Sequence, residues 1–173
     1  MRLTEQIDSS RPFWLLGHSF GGMLAMELAQ QLRPERLILV SSVRSRRELP
    51  WYGRLAGRLK LHRLVPLAHP RFISPISIFL NGIRTEEDLA IFKGFAVGRD
   101  LDLLRWSTDQ ALNWRGDTAL ANPVSIHGTA DRLLPARYVH PDFWIEGGTH
   151  FMIATRAEEI SNLLDGLVDP KCD

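Results

Sequence analysis

The apolar positions along the chain fall into short continuous runs and helical repeats. Phe13–Leu16 is a short apolar run, typical of a strand that is covered on both faces. Residues 23–32 combine helix-favouring residues with recurring apolar positions, and Pro34 is expected to stop this helix. Residues 36–42 form a second apolar run and predict another strand. The order strand, helix, strand implies a right-handed parallel crossover.

Residues 44–122 interrupt this alternation, because they contain no convincing strand. Thr85, with Asp88 three residues later, predicts the start of one helix, and Asp100 predicts the cap of another. The segment is long for a simple crossover between two strands. We therefore interpret it as an inserted helical cap or lid.

The first part of this insertion is basic and also carries leucines at helical spacing, beside Trp51 and Tyr52. Its basic residues are Arg44, Arg46, Arg47, Arg54, Arg58, Lys60, His62 and Arg63. We expect a solvated face of the cap. The alternative is a surface that attracts an acidic substrate or a membrane.

The strand pattern returns after the insertion. Residues 123–128 predict a third strand and residues 142–147 a fourth. Thr155, with Glu158 three residues later, predicts a capping box at the start of the last helix.

The length of 173 residues fits one domain with a substantial core. Hydrophobic residues make up 45% of the chain and charged residues 24%, which is ordinary for a globular protein. We expect an α/β core with a mostly parallel sheet and flanking helices, formed by residues 1–43 and 123–173.

Charge and cysteine content limit the partners and the compartment. A net charge of +1 gives no reason to expect a nucleic-acid partner. The single Cys172 cannot form an internal disulfide, which suits a reducing compartment. The charged N-terminus lacks the apolar centre of a signal peptide, and no run approaches the roughly 20 apolar residues of a membrane span. We therefore expect a cytoplasmic protein without stable membrane insertion.

Gly17-His18-Ser19-Phe20-Gly21 fills the pattern G-x-S-x-G between the first strand and its helix. In a nucleophile elbow, the serine occupies a strained turn that lifts its hydroxyl above the edge of the sheet. The helix N-terminus behind it offers free N–H groups to a developing oxyanion. A phosphate-binding loop is a weaker alternative, because no lysine follows the glycines as in a P-loop.

A serine hydroxyl becomes a good nucleophile only beside a base, and a carboxylate usually fixes the tautomer of that base. Asp131 follows the third strand and His150 the fourth, where catalytic groups of open parallel sheets gather. The alternatives are that Asp131 only forms a turn and that His150 only caps a loop. Asp109 and Asp117 are rival acids, although both lie in the insertion.

The other histidines suggest no catalytic or metal role. His62, His69 and His140 lack the spacing of metal ligands, so neither a metal nor another cofactor is expected. His18 is expected to be a spacer within the elbow, and His127 is expected to pack beside the acid loop.

The chain resembles the α/β-hydrolases in three motifs. These are the elbow at residues 17–22, the acid loop at residues 126–135 and the Gly-Gly-Thr-His-Phe loop at residues 147–151. The resemblance covers nearly the whole chain outside the insertion. It implies a partial α/β-hydrolase fold with a helical cap, and hydrolysis of a small ester, thioester or amide through an acyl-serine.

The resemblance also implies roles for individual residues. The chain order Ser19, Asp131, His150 is that of the α/β-hydrolase triad, with Ser19 as nucleophile, Asp131 as orienting acid and His150 as base. The backbone N–H of Phe20 would be one oxyanion donor. A small acyl substrate is the expected partner, and no cofactor is implied.

One departure from the family pattern affects these expectations. The family's sheet has eight strands and its elbow follows the fifth, whereas only a short helical segment precedes the first strand here. We expect a truncated chain; the alternative is a minimal version whose exposed strand edge pairs with another chain to form an oligomer. The loop that supplies the second oxyanion N–H would also be missing, and losing one such donor typically costs about 10²–10³ in rate.

Two alternative functions follow from this departure and from the scaffold. The chain could be a catalytically impaired fragment that serves as a binding or oligomerising module. Acyl transfer to an alcohol or amine is a third function for the same residues. Haloalkane dehalogenation is disfavoured, because that chemistry needs a carboxylate in place of Ser19.

Overall fold

The computed structural model of the protein describes residues 3–63, 75–96, 100–116 and 122–168. Its centre is a four-stranded parallel sheet in which the strands are neighbours in chain order. The strands are β1 (Trp14–His18), β2 (Arg36–Val40), β3 (Val124–Gly128) and β4 (Phe143–Ile145). Parallel neighbours need a crossover connection, so the sheet agrees with the expected alternation of strands and helices.

Seven α-helices occur in the described residues. They are α1 (Phe20–Leu32), α2 (Trp51–Arg58), α3 (Pro75–Asn81), α4 (Glu86–Ala96), α5 (Leu101–Asn113), α6 (Met152–Thr155) and α7 (Ala157–Val168). Short 3₁₀ helices occur at Leu3–Gln6, Arg46–Glu48, Leu61–Arg63 and Ala136–Tyr138. None of the helices in these parts of the chain is long and apolar enough to cross a membrane.

The core lies on both faces of β2. Leu37 and Leu39 pack with the buried face of α1. Ile38 and Val40 point to the opposite face, where they cluster with Ile160 of α7. These four side chains are buried, which explains why the strand has a continuous apolar sequence after Arg36.

The described parts of the insertion contain helices and no strand. Asp100 caps α5, because its carboxylate accepts hydrogen bonds from two backbone N–H groups in the first turn. Thr85 and Asp88 form the predicted reciprocal cap at the start of α4. The interpretation of residues 44–122 as a cap or lid remains a prediction.

The predicted boundaries of most elements differ from the structure by one to three residues, and two differences have a clear physical cause. β2 ends at Val40, because Ser41 takes a positive φ of 45° that a strand cannot accommodate. The prediction that Thr155 caps the last helix is wrong, because Thr155 is the final residue of α6 and α7 begins at Ala157. The Thr155 hydroxyl instead bonds the carbonyl of Phe151 one turn earlier, a common alternative for threonine in a helix.

β1 is an edge strand of the described sheet, since β2 is its neighbour on one side and no described strand pairs with the other. Leu16 on this strand is 42% exposed. An exposed strand edge can pair with a further strand, as the sequence analysis anticipated. Oligomerisation through this edge remains a prediction.

Gly22 allows α1 to pack directly against the chain that follows β2. A Cβ atom at Gly22 would collide with the side chain of Ser42, at 2.5 Å from its Cβ and closer still to its hydroxyl. That hydroxyl donates a hydrogen bond to the carbonyl of Ser19 at 2.7 Å. A side chain at residue 22 would therefore disturb the contact that supports the turn at Ser19.

The neighbouring glycines of α1 provide a matched test of this packing. We expect Gly22→Ala to lower the free energy of unfolding by about 1–3 kcal/mol, because the new methyl group is overpacked. Gly21→Ala should not lower it, because a Cβ there meets no atom within 4 Å and alanine favours a helix over glycine by up to about 1 kcal/mol. Urea denaturation of both variants checks the prediction. Equal stability of the two variants would contradict the close packing at Gly22.

Candidate active site

Ser19 occupies a strained turn between β1 and α1. Its backbone has φ 53° and ψ −123°, a conformation that residues with a side chain rarely adopt. The Ser19 N–H donates to the carbonyl of Val40, and the Ser19 carbonyl accepts from the N–H of Gly22, both at 3.0 Å. The turn is therefore fixed by hydrogen bonds to β2 and α1 as well as by Ser42.

His150 connects Ser19 with Asp131. Its Nδ1 lies 2.8 Å from Oδ2 of Asp131, and its Nε2 lies 2.8 Å from Oγ of Ser19. A proton on Nδ1, donated to the carboxylate, leaves Nε2 free to accept the hydrogen bond of the serine hydroxyl. The side chains of His150 and Asp131 are 3% and 0% exposed. The structure thus brings together the three residues that the sequence motifs indicate.

Asp131 uses both carboxylate oxygens. Oδ1 accepts hydrogen bonds from the backbone N–H groups of Leu133 and Leu134, at 2.9 and 2.8 Å, while Oδ2 faces His150. The residue therefore forms a turn and also contacts the imidazole. The sequence left open whether Asp131 only forms a turn or also contacts the histidine. Both contacts occur together, because Oδ1 forms the turn and Oδ2 contacts His150.

A second histidine packs beside this carboxylate, as expected. His127 is fully buried, and its Nε2 lies 2.8 Å from the carbonyl oxygen of Leu134 and 3.5 Å from Oδ2 of Asp131. Burial lowers the pKa of His127. The neutral ring can donate its Nε2 proton to the Leu134 carbonyl, which stabilises the acid loop.

His18 contacts the loop that carries His150, so it is more than a spacer. Its Nε2 lies 2.9 Å from the backbone carbonyl of His150, and the two ring centroids are 5.3 Å apart. Burial, followed by the nearby His150, lowers the pKa of His18 to about 4. His18 is therefore neutral near pH 7 and can donate its Nε2 proton to this carbonyl. The sequence places His18 next to Ser19, but no motif in it indicates the contact with the carbonyl of His150.

Helices of the insertion support the loop that follows β4. The N–H of Phe151 donates to the carbonyl of Asn81 at 3.3 Å, and the Phe92 ring packs edge-on against Phe151 at 5.2 Å. Gly82 has a positive φ of 71° and lies so close to Thr149 that a Cβ would approach its side chain to 2.5 Å. These contacts hold the residues on either side of His150.

Phe20 is the first residue of α1, so its N–H lies in the helical turn that has no carbonyl partner of its own. Its ring packs edge-on against Trp106 of α5, with the centroids 5.7 Å apart. The Phe20 N–H is therefore a candidate donor to an oxyanion. Within the described residues no strand precedes β1, so the upstream loop of the family pattern has no counterpart there.

The other candidate residues lie apart from this arrangement or outside the described residues. Asp109 pairs with Nε2 of His62 at 2.9 Å and with Arg63 at 3.1 Å, within the insertion. Asp117 and His69 lie outside the described residues. In the part of the chain that is described, no three His, Cys, Asp or Glu side chains are grouped as metal ligands.

Comparison with known protein families identifies the fold. A model of the alpha/beta hydrolase family matches residues 2–163. The chain belongs to the α/β-hydrolase family. The four described strands and their flanking helices therefore correspond to part of the α/β-hydrolase fold.

Solved structures of low sequence identity share this fold. A protein described as non-heme bromoperoxidase BpoC of Mycobacterium tuberculosis H37Rv matches with a TM-score of 0.65 and 17% identity, over 98% of this chain and 71% of that one. A thermophilic esterase from Thermogutta terrifontis matches with a TM-score of 0.60 and 17% identity, over 96% and 68%. Polyneuridine aldehyde esterase matches with a TM-score of 0.56 and 17% identity, over 96% and 76%.

This α/β-hydrolase chain spans 61–76% of the length of such structures. Among curated proteins, none matches the sequence significantly. At these identities the structural likeness shows the fold, and it carries no statement about substrate.

The low pKa of His18 predicts how stability depends on pH. Between about pH 6.5 and pH 4 the unfolded chain binds a proton at this residue and the folded chain does not. We therefore expect the free energy of unfolding to fall as pH is lowered through this range, by roughly 1–3 kcal/mol from His18. His18→Gln keeps an N–H donor but does not titrate, so it should reduce this fall. Urea denaturation at several pH values measures the effect.

His140→Gln removes an exposed histidine and serves as the matched control. It should keep the pH dependence of the wild type. If His18→Gln and His140→Gln gave the same dependence as the wild type, the proposed environment of His18 would be wrong. The lowered pKa of buried His127 acts in the same direction, so some dependence should persist in His18→Gln.

Proposed function

We propose that the protein is a serine hydrolase that cleaves a small ester, thioester or amide through an acyl-serine intermediate. The observation that carries the proposal is the position of His150, whose two ring nitrogens lie 2.8 Å from Ser19 Oγ and from Asp131 Oδ2. This is the arrangement in which a histidine activates a serine and a carboxylate holds the histidine in the required tautomer.

In the first half of the proposed reaction, Nε2 of His150 takes the hydroxyl proton of Ser19 while Oγ attacks the acyl carbon. Asp131 stabilises the resulting imidazolium through its hydrogen bond to Nδ1. The N–H of Phe20 faces the oxyanion of the tetrahedral intermediate. His150 then gives its proton to the leaving group, and an acyl-serine remains.

In the second half, water replaces the leaving group. Nε2 of His150 takes a proton from the water as its oxygen attacks the acyl carbon, and a second tetrahedral intermediate forms. When this collapses, the proton returns from His150 to Oγ of Ser19 and the carboxylic acid is released. The cycle needs no external oxidant, reductant or cofactor.

Three further contacts support this assignment by positioning the reacting groups. The Ser42 hydroxyl supports the carbonyl of Ser19, the Leu133 and Leu134 N–H groups hold Asp131, and His18 contacts the backbone of His150. Reacting groups that are held in place lower the entropic part of the barrier.

Ester hydrolysis is compatible with the comparisons. Two of the structural neighbours named above are esterases, although at 17% identity they do not define the substrate of this chain. A cytoplasmic location and a lid function for residues 44–122 also remain predictions. Acyl transfer would use the same acyl-serine, with an alcohol or amine in place of water.

The alternative of a non-catalytic binding module is less favoured. A chain that had lost its reaction would not need the serine, histidine and carboxylate to retain their mutual hydrogen bonds. Loss of one oxyanion donor would slow such an enzyme by about 10²–10³ without abolishing its reaction.

Esterase activity of Ser19→Ala tests the proposal. With a short p-nitrophenyl ester, we expect kcat to fall by roughly 10³–10⁶ relative to the wild type, because the acyl-serine cannot form. Ser10→Ala removes an exposed serine and should leave kcat unchanged. Asp131→Asn should lower kcat by about 10⁴, because the wrong tautomer of His150 is favoured. Full activity in Ser19→Ala would exclude the assignment.

A further inference from the structure

Helix α2 turns its small residues toward the protein. A Cβ atom at Gly57 would lie 2.8 Å from the carbonyl oxygen of Leu112 in α5, which shows how closely the two helices approach. A Cβ at Gly53, one turn earlier, would contact a Leu112 methyl group at 3.5 Å. The glycine face of α2 is therefore its contact face with the rest of the molecule.

The large apolar side chains of this segment lie on the opposite side. Trp51, Leu55 and Leu59 recur every four residues, and they are 59%, 44% and 59% exposed. At 100° per residue they fall within an arc of about 80°, centred roughly 180° from the two glycines. Tyr52 extends the surface, since its ring lies edge-on to that of Trp51 with the centroids 5.8 Å apart, and it is 40% exposed. An amphipathic helix usually buries such a stripe, whereas this one presents it outward.

We call this surface the outward face of α2, formed by Trp51, Tyr52 and Leu55 of the helix and by Leu59, which directly follows it. Basic residues accompany it, and residues 51–63 contain four Lys or Arg and no Asp or Glu. Among the described residues, Arg54, Arg58 and Lys60 form no ion pair, while Arg63 contacts Asp109.

We propose that the outward face of α2 docks on an anionic lipid surface. Exposed Trp, Tyr and Leu beside unpaired Lys and Arg are the composition of helices that lie in a membrane interface. The apolar side chains would enter the boundary between headgroups and acyl chains, and the cations would contact anionic headgroups. The charge of residues 51–63 is thus complementary to such a surface.

A second copy of the chain fits this face less well. In a two-fold symmetric dimer, the same patch meets itself. The unpaired Arg54, Arg58 and Lys60 of one copy would then lie close to the same cations of the other, and residues 51–63 contain no acidic residue to compensate them. An acidic protein partner would satisfy the charges, and the experiment below distinguishes it.

The docked face would lie near the candidate active site. The Tyr52 ring packs edge-on against Tyr138, with the centroids 6.3 Å apart. Tyr138 ends the short 3₁₀ helix that directly follows the acid loop. A lipid surface on α2 would therefore adjoin the acid loop. The docking itself does not depend on the proposed hydrolysis, because none of its residues takes part in that reaction.

Vesicle co-sedimentation of the full chain tests the proposal. The protein carries Ser19→Ala, so that hydrolysis of lipid cannot alter the vesicles. We expect binding to vesicles of phosphatidylcholine mixed with phosphatidylglycerol, and binding at least roughly tenfold weaker to pure phosphatidylcholine. High salt should weaken the first interaction, because the charges on the surface are screened.

Two matched pairs of variants locate the binding surface. Arg58→Gln with Lys60→Gln should weaken binding roughly tenfold, whereas Arg11→Gln with Lys93→Gln removes the same two charges elsewhere and should not. Leu59→Ser should also weaken binding, whereas Val168→Ser should not, although both side chains are 59% exposed. All six substituted positions are exposed, so the four variants should fold, and circular dichroism checks this.

Three results would overturn the proposal. The first is absence of binding to the anionic vesicles, or equal binding to both vesicle types. The second is equal weakening by each variant pair. The third is that Leu59→Ser leaves vesicle binding unchanged and instead abolishes an interaction with protein. That interaction would be either a concentration-dependent dimer or a stable complex with an acidic protein. Absence of esterase activity in the wild type, measured in a separate assay, would contradict the proposed hydrolysis but would not change the vesicle-binding result.

Discussion

The imidazole of His150 is the point at which three separate parts of the chain meet. One ring nitrogen faces the serine between β1 and α1, and the other faces the carboxylate after β3, each at 2.8 Å. Neither contact forms unless the parallel strands bring their carboxyl ends to one edge of the sheet. The sheet register, the turn at Ser19 and the acid loop therefore together position Ser19 and Asp131 around His150. The proposed chemistry depends on this arrangement.

Tight packing maintains that geometry at some conformational cost. Ser19 has a positive φ, and the surrounding structure compensates through hydrogen bonds from the Ser42 hydroxyl and to the carbonyl of Val40. The loop after β4 depends similarly on the insertion, whose Phe92 packs against Phe151 beside His150. The insertion thus has a structural role at the site, whether or not it also closes over a substrate.

Much of this arrangement was predictable, because G-x-S-x-G and strand ends are local features of sequence. The elbow, the parallel sheet and the convergence of Asp131 and His150 follow from motif, apolar runs and chain order. The contact of His18 with the carbonyl of His150, 132 residues away, was not predictable, since no motif links His18 to that backbone group. The outward orientation of Trp51 was also hidden, because helical spacing gives a stripe but not the side on which the protein lies.

The rate of Ser19 labelling by a fluorophosphonate, mapped by peptide mass spectrometry, tests the central claim most directly. The reagent reports whether the serine is activated, independently of the unknown substrate. The account predicts prompt, single-site labelling of Ser19 in the wild type and labelling slowed at least 10³-fold in a folded His150→Ala variant. Absence of labelling in well-folded wild type, or equal labelling of His150→Ala, would contradict it.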